Sequence, residues 1–328
     1  RDNPGQDHNE GLATYFREHL RKELSEWCEE NDYDIYADGL RVFTTIDTRL
    51  QERAEKAVDQ HLNEYQQVFD DHVRGYEPWE RDTMIIWRGM RQSARWAWHL
   101  RNNDSEAEIY KAFDTPRKMR IFTWSNKQGI DTTMSPRDSV VHYTRYLRAG
   151  VVTIDNRNGE ILAWVGGANH RFFQYDQVYQ GKRQVGSTFK PFVYTAAFDN
   201  GYSPCYEISN MPMAVRTGDG KVWSPRNANG EYDKCIKLRD ALAHSVNVPT
   251  ARLMKAVGPR VVAEYAYRMG IRTQLEEVYS LALGTTDLQV LELASAYTTF
   301  ANQGRWVEPH FIKRIEDRNG NVLETFVP

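Results

Sequence analysis

The positions of the strand-like segments constrain the fold of this chain more than any other feature. Residues 151–154 and 161–165 are apolar and rich in β-branched side chains, and an Asn-Gly turn separates them. Asn-Gly supplies the positive φ angles that a tight hairpin needs. A similar unit, residues 311–323, closes the chain around a second Asn-Gly. We therefore predict an α/β layer structure whose sheet is assembled from distant segments.

The interval between these strands has mainly helical periodicity. Residues 238–243 and 261–269 repeat apolar side chains at helical spacing. A third helix is predicted after Thr286, because Gln289 follows three residues later in a capping-box pattern. Its apolar stripe consists of Leu288, Leu291, Ala294 and Tyr297. We expect this main domain to span residues 150–328.

Two other regions precede the main domain. Residues 1–38 are polar and charged, with one helix-like segment at 12–20, and we interpret them as the tail of a preceding segment or linker. Residues 39–149 are interpreted as a smaller linker (auxiliary) domain. It opens with a strand-like run over residues 40–47, in which β-branched side chains partly alternate with polar ones.

The linker domain continues with a helix and an aromatic-rich remainder. Thr48 and Gln51 form a capping-box pattern. The apolar residues that follow at four-residue spacing are Leu50, Ala54, Val58 and Leu62. Residues 70–147 carry five of the nine tryptophans, namely Trp79, Trp87, Trp96, Trp98 and Trp124. We interpret this remainder as an auxiliary domain held by aromatic packing, with a carbohydrate-stacking surface as the alternative.

Composition excludes several classes of protein. The chain has 42 Lys plus Arg and 45 Asp plus Glu among 328 residues, a net charge of −3, so nucleic-acid binding is not expected. It contains no run of about 18 apolar residues, which a membrane-spanning helix requires. The sequence has no Cys-x-x-Cys, His-Glu-x-x-His or Gly-rich phosphate loop, so no metal or cofactor is expected. The opening residues 1–4 are neither a signal peptide nor an initiator methionine, and we interpret them as a fragment boundary.

The three cysteines leave two interpretations open. Cys205 and Cys235 can pair if the protein is exported to an oxidising compartment. Otherwise all three, including Cys28, are small buried hydrophobic residues.

Ser187 and Lys190 form the pair with the clearest chemical meaning. On the first turn of a helix their three-residue spacing places a hydroxyl and an amine on one face. A serine needs a neighbouring base to become a nucleophile, and a lysine can serve only if its pKa is lowered. Phe189 and Phe192 can exclude water, and Gly186 allows close approach of the backbone. Backbone N–H groups at the helix N-terminus can stabilise a developing oxyanion.

Pro191 places this motif at a helix start. Proline has no N–H to donate and disfavours helical geometry in the residue before it. It is therefore tolerated in the first turn of a helix and not in the middle. Alone, however, Ser-x-x-Lys recurs by chance about once in 200–300 residues at ordinary residue frequencies, and a capping serine beside a surface lysine is the simpler explanation of a single occurrence.

A second segment, Ser245-Val246-Asn247, carries groups that could act together with Ser187 and Lys190. The apolar pattern before it ends there, so it is expected at a helix end or in a loop. Its serine can relay a proton between an amine and a leaving group. The amide of Asn247 can hydrogen-bond both a substrate carbonyl and a lysine. A helix-stop asparagine is the structural alternative.

Together these segments resemble the penicillin-binding transpeptidase domain of bifunctional (class A) penicillin-binding proteins. That family uses three motifs, Ser-x-x-Lys, Ser-x-Asn and Lys-Thr/Ser-Gly. The likeness covers most of residues 39–62 and 150–328 and is faint in 63–149. The segments that carry it beyond the motifs are Thr44-Thr45-Ile46-Asp47, residues 150–167, Leu281-Ala282-Leu283-Gly284-Thr285 and residues 294–302.

The resemblance implies a fold and a role for each motif residue. The fold would be that of penicillin-binding proteins and serine β-lactamases, an antiparallel sheet flanked by helices. Ser187 would be the acylated nucleophile and Lys190 its general base. Ser245 would carry the proton to the leaving amine. Asn247 and Gly186 would lie against the bound peptide, which would be a peptidoglycan stem peptide ending in D-Ala-D-Ala.

The resemblance also implies partners and a location. β-Lactams would acylate Ser187 and stay bound, and cell-wall synthesis proteins are the expected protein partners. The protein would act on the periplasmic or outer face of the bacterial cytoplasmic membrane, held there by an N-terminal anchor absent from this sequence.

The sequence departs from the family pattern at two points. Val185 stands where the family usually has proline, which changes loop stiffness and not chemistry. No Lys-Thr-Gly or Lys-Ser-Gly occurs, and we interpret the chain as C-terminally incomplete, which can leave the fragment inactive. The alternatives are a serine β-lactamase or D,D-carboxypeptidase, a non-catalytic peptidoglycan or β-lactam sensor, and a globular domain with chance motifs.

Overall fold

The computed structural model describes residues 11–75, 77–217 and 220–326. The opening residues 1–4 therefore lie outside the described part. The helices are α1 Thr14–Asn31, α2 Thr48–His72, α3 Pro78–Arg81, α4 Met84–Arg91, α5 Ala94–Arg101, α6 Glu106–Asp114, α7 Pro136–Thr144, α8 Lys190–Asp199, α9 Leu238–Ala243, α10 Asn247–Val257, α11 Pro259–Arg268 and α12 Val290–Ala301. Two 3₁₀ turns, Gly186–Phe189 and Tyr279–Leu283, complete the helical structure of the described residues.

The strands form small antiparallel sheets. They are β1 Arg41–Thr44, β2 Arg117–Thr123, β3 Asn126–Met134, β4 Val151–Ile154, β5 Ile161–Val165, β6 Lys182–Gln184, β7 Glu207–Ser209, β8 Val215–Arg216, β9 Val222–Trp223, β10 Cys235–Lys237, β11 Asp287–Gln289, β12 Ile312–Glu316 and β13 Val322–Thr325. The strand orders are β1-β12-β13, β4-β5, β2-β3, β6-β11, β7-β10 and β8-β9. Both predicted hairpins, β4-β5 and β12-β13, are confirmed.

The three-stranded sheet joins an early segment of the chain to a late one. Strand β1 pairs with β12 antiparallel, with Val42 opposite Ile315. Segments far apart in sequence thus share one sheet, but not the predicted ones, because the hairpins β4-β5 and β12-β13 lie in separate sheets. Mixed helix and antiparallel strand is the predicted fold class, and the structure confirms it.

Helix α8 is the centre of the largest core. Its Phe192, Val193 and Ala196 are fully buried. The surrounding buried residues come from α9, α10, α11, α12 and the 3₁₀ turn at Tyr279–Leu283. Six of the ten residues of α8 are buried, so the helix cannot shift without opening the core, and the residues at its N-terminal end are held firmly.

Helix α1 packs onto the hairpin β4-β5. Tyr15 and Phe16 are buried in one cluster with Ile161 and Trp164, and the Tyr15 hydroxyl donates to the carbonyl oxygen of Phe173 at 2.6 Å. The helix-like segment predicted at 12–20 is thus real but extends to Asn31. Its packing ties the N-terminal region to the main domain.

The aromatic region forms a core of its own. Trp79, Met90, Trp96, Ile109 and Phe113 are buried together. Two tryptophans thus act as packing residues, as the preferred interpretation of this region predicted. Trp98, by contrast, is 55 % exposed.

Two predicted capping boxes are wrong. Helix α2 is capped by Asp47, whose side chain accepts from the N–H groups of Arg49 and Leu50. Helix α12 begins at Val290, because the preceding residues Asp287–Gln289 pair with β6 instead. In both cases the residues that the local pattern assigned to a cap make other contacts instead.

The cysteines follow neither interpretation fully. Cys28 is buried, whereas Cys205 and Cys235 are exposed, and all three are free thiols. Cys235 lies in β10, where its pairing partner is Ser209. The pairing of Cys205 with Cys235, one of the two interpretations left open, is thus not formed in this structure.

The side chain of Gln51 replaces a strand on the edge of β5. Its amide oxygen accepts from the N–H of Trp164 at 2.7 Å, and its amide nitrogen donates to the carbonyl oxygen of Trp164 at 2.8 Å. Gln51 is fully buried, so losing its amide leaves both backbone groups unpaired. We expect Gln51→Ala to lower the free energy of unfolding by roughly 2–4 kcal/mol. Denaturant unfolding measures this, and Gln67→Ala on the exposed side of the same helix should change it by less than about 0.5 kcal/mol.

Candidate active site

The 3₁₀ turn at Gly186–Phe189 presents Ser187 at the start of α8. The α-helix itself begins at Lys190, with Pro191 in its first turn. This agrees with the expectation that the motif lies at a helix N-terminus. Ser187 is exposed to solvent, whereas Lys190 is only 1 % exposed. The turn therefore places a solvent-accessible hydroxyl above a buried amine.

Two glycines hold the turn at Gly186–Phe189 in place. Gly186 donates its N–H to the carbonyl oxygen of Gly284 at 3.0 Å, and Val185 donates to the carbonyl oxygen of Thr286. Both glycines have positive φ, 55° and 67°. A Cβ on Gly284 would lie 1.9 Å from the Gly186 carbonyl oxygen. Since no side chain fits there, Gly284 allows the two backbone segments to touch.

The amine of Lys190 is surrounded by oxygen acceptors from the second motif. It donates to Ser245 Oγ at 3.0 Å, to the Ser245 carbonyl oxygen at 2.5 Å and to Asn247 Oδ1 at 2.7 Å. Among the described residues it forms no salt bridge. The structure therefore brings together three of the predicted site residues from segments far apart in sequence.

Burial lowers the pKa of Lys190 to about 8, because the ammonium loses its water shell and gains no carboxylate in exchange. Phe189 and Phe192, both fully buried, form the apolar side of this environment. Their rings lie 5.0 Å apart between centroids. At pH 7 a fall from pKa 10.5 to about 8 raises the neutral fraction of the amine roughly three-hundredfold.

The second motif lies between α9 and α10. Ser245 has a φ of 53°, a left-handed conformation that costs a non-glycine residue about 1–3 kcal/mol. This turn directs both its carbonyl and its hydroxyl oxygen at Lys190. Asn247 is the first residue of α10, and its amide nitrogen donates to the carbonyl oxygen of Arg226 at 2.8 Å.

One predicted contact is not formed. In the described part of the chain the hydroxyl of Ser187 makes no hydrogen bond to Lys190, although the two residues lie one turn apart. The amine is fully occupied by Ser245 and Asn247. Gly186 lies in the same turn as Ser187, as expected.

Sequence reasoning missed the residues that support this arrangement. Gly284 lies in a segment noted only for its resemblance, and its contact with Gly186 was not foreseen. Asn227 and the Arg226 carbonyl, which reach the site from the loop before β10, had no recognisable signal. Neither periodicity nor motif spacing marks a residue that acts through its backbone contacts.

The site is built from hydrogen-bonding groups and contains no metal-binding cluster. Within residues 11–75, 77–217 and 220–326, no group of three or more His, Cys, Asp or Glu side chains is arranged to hold a metal ion. None of the helices formed by these residues is long and apolar enough to cross a membrane.

The comparisons with known proteins give a consistent result. Residues 149–326 match the penicillin binding protein transpeptidase domain, and residues 74–147 match the penicillin-binding protein middle domain. Penicillin-binding protein 1A of Rickettsia felis is 28 % identical over 95 % of this chain and 42 % of its own length. The chain thus spans about two fifths of that relative.

Two solved structures also match this chain. Penicillin-binding protein 1A from Haemophilus influenzae superposes with a TM-score of 0.66 and 26 % identity over 96 % of this chain and 50 % of its own. The PonA1 protein from Mycobacterium tuberculosis in complex with penicillin V gives 0.60 and 24 % identity, over 96 % of this chain and 65 % of its own.

Fold and motif geometry thus define a transpeptidase domain of the penicillin-binding type. The family match covers more than half of the residues, 149–326. The chain belongs to the penicillin-binding protein transpeptidase family. Its relatives over 95 % of its length are penicillin-binding proteins 1A, which confirms the predicted resemblance to the class A proteins.

The contact between Gly284 and Gly186 yields a test of the turn geometry. We expect Gly284→Ala to destabilise the protein by about 3 kcal/mol, because the new methyl group clashes with backbone and the residue keeps a positive φ. Gly304→Ala is the matched control, since Gly304 has a φ of 83° and a methyl group added there would meet no atom within 4 Å. It should cost about 1 kcal/mol. Equal losses in the two variants, measured by thermal unfolding, would contradict the clash.

Proposed function

We propose that this domain is a serine acyl-transferase, a D-Ala-D-Ala transpeptidase that cross-links peptidoglycan stem peptides through an acyl-enzyme on Ser187. The observation that carries the proposal is the buried amine of Lys190, held at 2.7 Å from Asn247 Oδ1 and 3.0 Å from Ser245 Oγ beneath an exposed serine. A lysine with a purely structural role does not need to be buried away from carboxylates. A general base needs such burial, because it lowers the pKa of the amine.

The first half-reaction forms an ester. Ser187 Oγ attacks the carbonyl carbon of the penultimate D-alanine, and the neutral amine of Lys190 accepts the hydroxyl proton. The tetrahedral intermediate places negative charge on the former carbonyl oxygen. The N–H of Ser187, in the first turn of the helical segment, is one donor aimed at that oxygen. The peptide bond then breaks and the terminal D-alanine leaves.

Ser245 completes the proton path. Its hydroxyl accepts from Lys190 at 3.0 Å, so a proton held by the lysine can pass through this hydroxyl to the nitrogen of the departing D-alanine. Asn247 is half-buried and keeps one amide N–H beyond its bond to Arg226. We assign that N–H to the backbone of the bound stem peptide.

The second half-reaction reverses these roles. The amino group of a neighbouring stem peptide attacks the ester carbon and loses a proton to Lys190. A new amide bond forms, the ester breaks, and Ser187 recovers its hydrogen. Atoms and charges balance with these groups alone.

β-Lactams follow from the same chemistry. Their strained amide presents a carbonyl to Ser187, and the leaving nitrogen stays tethered in the ring-opened adduct. The PonA1 protein, whose fold this chain shares, forms a complex with penicillin V. By the same relationship we assign this domain to the extracytoplasmic face of the bacterial membrane, among cell-wall synthesis proteins.

Intact-mass analysis with benzylpenicillin tests the nucleophile. One drug equivalent should add to the wild-type protein and none to Ser187→Ala, because the hydroxyl is the bond-forming atom. Ser203→Ala, which removes another exposed hydroxyl, should be labelled like the wild type. Labelling of Ser187→Ala, or none of the wild type, would contradict the proposal.

The same adduct separates the alternative functions. A transpeptidase retains the adduct for many minutes after excess drug is removed. Rapid loss with turnover of a chromogenic cephalosporin would indicate a β-lactamase. Release of D-alanine from a stem peptide without a cross-linked product would indicate a carboxypeptidase.

The pKa of Lys190 predicts the pH dependence of acylation. Burial lowers this pKa to about 8, so the ammonium predominates below that pH and the neutral base above it. The second-order acylation rate constant should therefore rise close to tenfold per pH unit up to about pH 7.5 and level off above about pH 8.5. Stopped-flow fluorescence with a labelled penicillin measures this profile. A rate that stays constant between about pH 6 and pH 9 would show that Lys190 is not the base.

A further inference from the structure

A buried asparagine outside the recognised motifs reaches the site through the backbone. Asn227 lies in the loop between β9 and β10 and is only 6 % exposed, whereas its neighbours Arg226 and Ala228 are exposed. We propose that Asn227 is a positioning residue, which fixes the amide of Asn247 and through it the amine of Lys190. The consequence for catalysis rests on the proposed function; the positioning itself does not.

Three hydrogen bonds anchor the side chain of Asn227. Its Oδ1 accepts from the N–H of Val248 at 3.0 Å. Its Nδ2 donates to Asn210 Oδ1 and to the carbonyl oxygen of Glu231, both at 2.8 Å. Both ends of the amide are engaged, so Asn227 cannot rotate without leaving buried groups unpaired. It connects the first turn of α10 to the loop and to the segment after β7.

This anchor sets the position of the neighbouring carbonyl. The Arg226 C=O belongs to the peptide unit that enters Asn227, and it accepts from Asn247 Nδ2 at 2.8 Å. Two consecutive loop residues thus bind two consecutive residues of α10. Arg226 acts through its backbone on Asn247, and Asn227 acts through its side chain on Val248. Displacing Asn227 moves both contacts together.

The Arg226 carbonyl decides which way the Asn247 amide faces. A carbonyl oxygen only accepts, so the NH₂ end of Asn247 must turn toward it and the oxygen end toward Lys190. The reversed amide would place NH₂ against the ammonium and oxygen against oxygen, two repulsive contacts. The observed 2.7 Å contact from Lys190 Nζ to Asn247 Oδ1 therefore depends on a loop that, in the described part of the chain, makes no hydrogen bond to Ser187 or Lys190.

A double-mutant cycle tests whether Asn227 acts through Asn247. The pKa of Lys190 is measured from the carbon-13 shift of its Cε in lysine-labelled protein, assigned with Lys190→Arg. Asn247→Ala removes one hydrogen-bond acceptor from an ammonium group that is shielded from water. The pKa of Lys190 should therefore fall below about 8. Asn227→Ala should shift it in the same direction. The double variant should show no shift beyond that of Asn247→Ala, because the two residues act in series.

Acylation by a fluorescent penicillin gives a second readout. Asn227→Ala should slow the reaction roughly tenfold in the wild-type background, the size expected for one misplaced hydrogen bond, and should have no effect in the Asn247→Ala background. Asn229→Ala is the matched control. Asn229 is exposed in the same loop, and among the described residues its side chain bonds only Glu231, so this variant should behave as wild type in both measurements.

Each outcome has a distinct meaning. A wild-type Lys190 pKa in Asn227→Ala, or shifts that add in the double variant, would overturn the positioning role. If Asn227→Ala does not fold, Asn227→Ser replaces it, because serine is neutral and its single hydroxyl cannot bond all three partners of the asparagine; an unshifted Lys190 pKa there would also overturn the positioning role. Should the predicted shifts occur in a protein that penicillin does not acylate, the positioning role stands and the proposed function fails.

Discussion

The structure of this domain depends on burying one amine among neutral oxygen atoms. Lys190 is 1 % exposed and bonded to Ser245 and Asn247. Transfer of an ammonium from water is unfavourable, and three acceptors offset that cost only in part. The part of this cost that the acceptors do not offset lowers the pKa of Lys190 to about 8. The surrounding core must therefore be rigid enough to keep water out, and the buried face of α8 provides this.

The elements that meet at this amine come from separate parts of the chain, and each is held by its own backbone contact. The turn at Gly186–Phe189 is held by Gly284 and the second motif by the loop at Asn227. The distant strands β1 and β12 pair in a sheet of their own with β13. Contacts between segments that are distant in sequence thus position the residues of this site, whereas one continuous segment positions them in simpler motifs.

Sequence reasoning succeeded where the information was local. The spacing of Ser187 and Lys190, with Pro191 beside them, identified a helix start, and the two Asn-Gly hairpins were found by turn chemistry. It failed where tertiary contacts compete with local patterns. Gln51 matched a capping box yet bonds Trp164 in β5, and Thr286–Gln289 matched another yet leads into a strand pair with β6. Gly284 and Asn227 act through contacts that no one-dimensional pattern records.

The absence of a bond between Ser187 and Lys190 among the described residues follows from the proton count of the amine. An ammonium has three N–H donors and no lone pair, and Lys190 directs its donors at Ser245 O, Ser245 Oγ and Asn247 Oδ1. The ammonium therefore has no lone pair with which to accept a hydrogen bond from Ser187. Loss of one proton leaves two donors for these oxygens and creates the lone pair that can receive the Ser187 hydrogen. The neighbours that hold the lysine thus also couple its protonation state to its contact with Ser187.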